Sequence, residues 1–184
     1  MTLTCFTPSE KGETYPITNS IFLNYRQPNA EHVLNSVSFK GDLIQLMDGS
    51  YWDVCRSNSN TMSNWRPGDI ILIAPNPYIF SFSTYSIQNI SAGTYVLANL
   101  SIQPFVDTPE AHWISAINYA NRQVVLENGT VWEIDNSWDA NQLYKWVVGD
   151  FVMIGSNDNY YSPYENILIN TSLNLNKYFK ARMY

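Results

Sequence analysis

Two short runs carry apolar residues at alternate positions, Ile44-Gln45-Leu46 and then Tyr51-Trp52-Asp53-Val54, and the pair returns as Val124-Val125-Leu126 and Val131-Trp132-Glu133-Ile134. A period of two sends successive side chains to opposite faces of a strand, so each pair reads as two half-buried strands around a tight turn. If Ile44, Leu46, Trp52 and Val54 all face one core, cross-strand partners must have residue numbers with an even sum, which excludes a two-residue loop at Asp48-Gly49. A three-residue loop, Met47-Asp48-Gly49, pairs Leu46 with Ser50 and Ile44 with Trp52; it suits a type I turn ending on a left-handed glycine with a bulge. Glu127-Asn128-Gly129 predicts the same turn in the second run, with Val124 opposite Trp132.

The two runs belong to a longer internal repeat. Ile44 to Val54 matches Val124 to Ile134 without a gap at an offset of 80 (132 − 52), and the same offset pairs His32 with His112 and Val37 with Ile117. Downstream, Trp65-Arg66-Pro67-Gly68-Asp69 matches Trp146-Val147-Val148-Gly149-Asp150 at 81 (146 − 65), and the apolar runs Ile70 to Ala74 and Phe151 to Gly155 follow. Gly68 and Gly149 each precede a strand, where a tight turn calls for positive φ. A last strand is expected at Tyr95 to Leu100 and at Ile167 to Leu173.

The predicted fold is all-β: a tandem duplication of a small five-stranded barrel or sandwich, with few or no helices. Residues 1–28 form an irregular lead-in, with an added strand possible around Ile21 to Tyr25. Module one spans 29–103; a linker at 104–110 holds Pro104 and Pro109, which interrupt pairing; module two spans 111–176; residues 177–184 are expected as a C-terminal tail. The landmarks Asp48-Gly49-Ser50-x-Trp52 and Trp65-x-x-Gly68-Asp69 resemble those of small-barrel domains in uncharacterised bacterial proteins. That resemblance covers about Glu31 to Asn170 and implies no activity, ligand or site residue; the predicted barrel or sandwich is itself Src-homology-3-like or similar.

Composition narrows the partners. The formal charge of −6 disfavours nucleic acid, whose affinity comes mainly from cations displacing counterions. The one basic cluster is Lys177, Lys180 and Arg182, read as part of a solvated tail. No run approaches the length of a membrane span, and the start lacks a basic stretch followed by an apolar one, so the chain reads as soluble, with no compartment indicated. Two cysteines, Cys5 and Cys55, leave open whether they pair.

No catalytic, cofactor-binding or metal-binding residue is assigned. His32 and His112 are each alone in their module and read as satisfied structural histidines. Asp53 and Glu133 alternate to the outer face, while Asp69 and Asp150 read as turn residues that bond nearby amides. Four Asn-x-Ser/Thr matches, at Asn89, Asn99, Asn128 and Asn170, are unremarkable in a chain so rich in Asn and Ser.

Aromatic residues are abundant, with 13 Tyr, 8 Phe and 6 Trp, and they supply the candidate binding residues. Trp52 and Trp132 are read as core. Tyr78, Phe80, Phe82 and Tyr85 follow the fourth strand of module one, and Tyr160, Tyr161 and Tyr164 follow that of module two. Rigid rings beside small polar groups suit peptide, protein or sugar recognition, although alternation in the first segment also suits packing between modules, which ranks ahead. Trp65 and Trp146 complete the candidates, with packing over a barrel end ranked first. Measured from Ile73 to Asn99 and from Ile154 to Asn170, the first connection is longer by ten (26 − 16). The leading expectation is a non-enzymatic protein- or peptide-binding or scaffold protein, with self-association as one form of it. The alternatives are a carbohydrate-binding module and, last, a hydrolase using Asp53, Glu133 and the histidines.

Overall fold

The computed structural model describes residues 30–184 except 79, 80, 106, 107, 109, 137, 160, 174 and 175, with backbone alone for 56–59 and 138–141. The lead-in, its candidate strand and Cys5 lie outside the described residues. The described chain holds no α-helix. Its strands are β1 (Glu31–Val37), β2 (Leu43–Leu46), β3 (Tyr51–Val54), β4 (Ile70–Pro75), β5 (Tyr85–Asn89), β6 (Thr94–Ile102), β7 (His112–Asn118), β8 (Gln123–Leu126), β9 (Val131–Ile134), β10 (Phe151–Ser156), β11 (Asn166–Asn170) and β12 (Phe179–Met183). Two 3-10 segments, Arg56–Asn64 and Trp138–Lys145, follow β3 and β9.

The strands close into two antiparallel barrels. The first runs β1-β2-β3-β6-β5-β4 and the second, in the same order, β7-β8-β9-β12-β11-β10. Matching order in two successive barrels is consistent with a duplicated small barrel. Closure removes every open sheet edge, which otherwise exposes unpaired backbone groups. Each barrel has six strands, one more than the five expected, because the stretch after the fourth strand contributes two. Residues 177–184 are not a tail: β12 lies there and closes the second barrel between β9 and β11. Phe179 and Ala181 point inward and are buried, while Lys180 and Arg182 alternate outward.

Both hairpins have the predicted register. Ile44 lies opposite Trp52 and Val124 opposite Trp132. Across the three-residue loops the Gly49 and Gly129 amides donate to Leu46 and Leu126 carbonyls at 3.0 Å. Both glycines sit at φ +83°, a conformation in which a Cβ is strained. The Asp48 carboxylate and the Asn128 amide oxygen cap these turns by accepting the Ser50 and Thr130 amides at 2.8 and 3.0 Å. Ser50 and Thr130 then accept the indole N–H of Trp52 and Trp132 at 3.0 and 2.9 Å. Both tryptophans are buried, so each indole fills its barrel with its polar group satisfied.

The barrels share a packed junction. Strands β5 and β11 are buried at every residue, and β10 at four central residues, because one face lines the strand's own barrel while the other meets the neighbouring barrel. Met153, Ile167 and Ile169 belong to the cluster that fills the first barrel, alongside Ile71, Ile73, Tyr85 and Ile87. Strand β10 approaches β4 so closely that a Cβ added at Gly155 would lie 2.4 Å from the Ile73 carbonyl oxygen. The repeat places Ala74 at the position equivalent to Gly155 (155 − 74 is 81), so both copies keep a small residue there.

Candidate functional site

The connections after β4 and β10, residues 76–84 and 157–165, are equal in length. The expected difference of ten came from matching Asn99 to Asn170, whereas the strands align Asn89 with Asn170 and keep the offset of 81. The copies differ later, where residues 171–178 replace the shorter turn at 90–93. Asn76 and Asn157 open the two equal loops and staple them alike, each donating its side-chain amide at 2.6 Å to a carbonyl at the far end, Ser83 or Tyr164.

Of the aromatic candidates on these loops, Tyr78, Phe82 and Tyr161 are exposed. Tyr78 meets the Tyr95 hydroxyl at 3.0 Å on its own barrel. Tyr164 is half-buried: Arg182 stands 5.5 Å over its ring and grips Glu133 through two nitrogens at 2.8 and 3.1 Å. Tyr85 is buried in the core of the first barrel, edge-on to Trp52 at 5.4 Å, and therefore offers no surface to a partner. Phe80 and Tyr160 lie outside the described residues. Trp65 and Trp146 are buried at 4% exposure, each in the core cluster of its own barrel rather than on an open face. The Trp65 indole donates to Thr94 at 2.8 Å.

The titratable residues named for a hydrolase are not gathered. Asp53 is exposed on β3 of the first barrel, while Glu133 is tied to Arg182 on the second. Asp69 and Asp150 hold their turns, accepting the Arg66 and Val147 amides and the side-chain amides of Asn89 and Asn170. His112 pairs with Glu127 at 2.7 Å; burial pushes that carboxyl up, but His112 and the Trp113 amide hold it below the ordinary carboxylate value. His32 is buried against Asp48. Among the described residues no group of three His, Cys, Asp or Glu is placed to hold a metal ion. Cys55 is disulfide-bonded, while Cys5, the other cysteine of the sequence, is outside the described residues.

A cleft of about 470 Å³ lies on the second barrel. One wall has Gln142, Lys145 and Trp146, at the end of the second 3-10 segment; the other has Asn170, Leu173, Asn176, Lys177, Tyr178, Phe179 and Lys180. The Trp146 and Phe179 rings that line it pack against each other at 5.0 Å with a 52° tilt. Three lysines therefore line one cleft in a chain whose net charge is −6. Beside the cleft along the same segment, Tyr144, Val147 and Val148 are exposed, and Tyr144 stacks on Tyr119 at 5.5 Å. The first barrel has Ser63, Arg66 and Pro67 where these stand, so the apolar patch belongs to the second copy alone.

Apart from Trp146 and the neighbours of the basic cluster, sequence reading missed this site. The available signal was the basic cluster itself: Phe179-Lys180-Ala181-Arg182 alternates as a strand does, which brings Lys177 and Lys180 back to the barrel. Comparison with protein-family models, curated proteins and solved structures finds no match to this chain. No helix of the described chain is long and apolar enough to cross a membrane.

Proposed function

We propose that the chain is a non-enzymatic binding protein whose second barrel holds an acidic peptide segment in the cleft between the Trp138–Lys145 segment and the chain leading into β12. The observation that carries this is one cavity lined by Lys145, Lys177 and Lys180 together with Trp146 and Phe179. Ligand sites are typically concave and apolar with a few convergent polar groups, and a cavity of this size lies in their usual range. Carboxylates supply the complementary charge, and the neighbouring Tyr144, Val147 and Val148 extend the surface beyond what a small anion needs.

A peptide is favoured over a sugar by the state of the rings. Sugar platforms need an open ring face, whereas Trp146 and Phe179 are almost wholly buried against each other. The scattered carboxylates and histidines favour binding over hydrolysis, since acid/base work needs such groups in one cleft.

Titration calorimetry with an Asp/Glu-rich peptide tests the proposal. Binding should weaken about tenfold or more in the variant K145A/K177A/K180A and on raising salt, and should survive Tyr78→Ala with Phe82→Ala. Equal affinity for a peptide with neutral Asn/Gln in place of Asp/Glu, or undiminished binding by the triple variant, would count against it. A glycan array positive for acidic sugars, with peptides silent, would transfer the site to carbohydrate.

A further inference from the structure

The junction between the barrels contains a buried ionisable pair that the cleft does not use. His32 and Asp48 are 2% and 1% exposed, and the imidazole Nδ1 stands 3.6 Å from a carboxylate oxygen, Oδ2. At that distance the two atoms do not hydrogen-bond each other, and neither has a hydrogen-bond partner elsewhere. On its far side the ring presents Nε2 to the backbone carbonyl of Ile154 at 2.9 Å, and Ile154 belongs to β10 of the other barrel.

These contacts constrain the protons. A carbonyl oxygen only accepts, so Nε2 must carry hydrogen. The other nitrogen faces a carboxylate oxygen, an approach that is favourable only where Nδ1 carries a second proton or Asp48 does. In both arrangements the pair keeps one proton more than a neutral histidine beside an ionised aspartate. Losing that proton would leave the Asp48 anion, held only by the Ser50 amide, without a counter-charge in a buried site facing a ring lone pair.

We infer that His32 is a proton-dependent latch between the two barrels, closed while the His32–Asp48 pair holds its shared proton and loosened when the pair gives it up. The electrostatics agree in direction. Burial opposes the charged ring, but the carboxylate of Asp48, the Ile154 carbonyl and the charge of Glu110 hold the His32 pKa above its ordinary 6.5. Burial likewise pushes the Asp48 carboxyl up, and His32 and Ser50 more than reverse it. Asp48 and Glu110 are the charged groups acting on the ring; β4 and β10 meet it through Ile71 and Ile154. A histidine raised on folding stabilises the folded state fully below its unfolded pKa, and that contribution fades as pH rises through the folded value. The junction should therefore be firm in mild acid and weaker in alkali.

The second copy lacks the device. His112 occupies the equivalent position, but its carboxylate comes from Glu127, one place earlier in the turn than Asp48, and the pair is only partly buried.

The test is amide hydrogen exchange on the whole chain at pH 6 and pH 9, expressed as protection factors, with a proton NMR titration of His32. Wild type should lose protection about tenfold or more in β4 and β10 at the higher pH while β8 is unchanged, and His32 should titrate above 6.5. His32→Gln and Asp48→Asn, neither of which can keep the shared proton, should show no such difference. Protection in β4 and β10 that is equal at both pH values in wild type, or persistence of the loss in either variant, would overturn the inference. If neither variant folds, the wild-type titration decides alone, and a His32 value at or below 6.5 would reject it.

Discussion

Gly155→Ala adds one methyl group where the barrels touch. Built on the existing backbone, the new Cβ lies 2.4 Å from the Ile73 carbonyl oxygen and 2.7 and 3.0 Å from two carbons of Ile167. Close C···O contacts in sheets settle at about 3.3 Å or more, so the gap must widen by nearly 1 Å. The Ile73 carbonyl cannot swing aside, because Ile73 is paired with Ile87 in the first barrel's sheet. Relief has to come from moving one barrel against the other, which disturbs Met153, Ile167 and Ile169 in the shared cluster. Overpacking of this kind costs about 1–3 kcal/mol, and for a chain of this size that lowers Tm by about 2–12 °C. Differential scanning calorimetry of Gly155→Ala beside Ala74→Gly, which removes the methyl group at the equivalent site, measures it. A Gly155→Ala variant within 1 °C of wild type would refute the close approach of β4 and β10.

Two further outcomes follow from equivalent positions. Trp52→Ala and Trp132→Ala should each cost about 3–5 kcal/mol in urea denaturation, since both empty a barrel centre; a loss below 1 kcal/mol in either would show that indole to be dispensable. Asn76→Ala and Asn157→Ala each remove the same 2.6 Å loop staple, so each should cost about 1 kcal/mol and by similar amounts. A threefold difference between them would contradict the equivalence of the two loops.

Periodicity made the hairpins legible because their outer faces meet water. In Trp52-Asp53-Val54 and Trp132-Glu133-Ile134 the inward residues are apolar and the outward ones charged, so parity alone sets the turn length. The junction strands gave no such signal. Tyr85-Ser86-Ile87-Gln88-Asn89 carries polar residues that are nevertheless buried, since its second face meets the neighbouring barrel. With that strand unseen, Asn99 takes the place of Asn89 in the repeat and the connections seem unequal. The last strand was hidden for the opposite reason. Its outward Lys180 and Arg182 dominate a short segment and suggest a solvated tail, although Phe179 and Ala181 face the core. The cleft follows from both, since its two walls are separated along the chain and meet only once β12 closes the barrel.

Binding at the second barrel is tested most directly by mapping amide chemical shifts of the labelled protein as an Asp/Glu-rich peptide is added. We expect the perturbed residues to cluster at Gln142, Lys145 and Trp146 and at Leu173, Asn176, Lys177 and Lys180, on the two walls of the cleft. Perturbations confined to the loops bearing Tyr78, Phe82 and Tyr161, or a spectrum unchanged at saturating peptide, would contradict it.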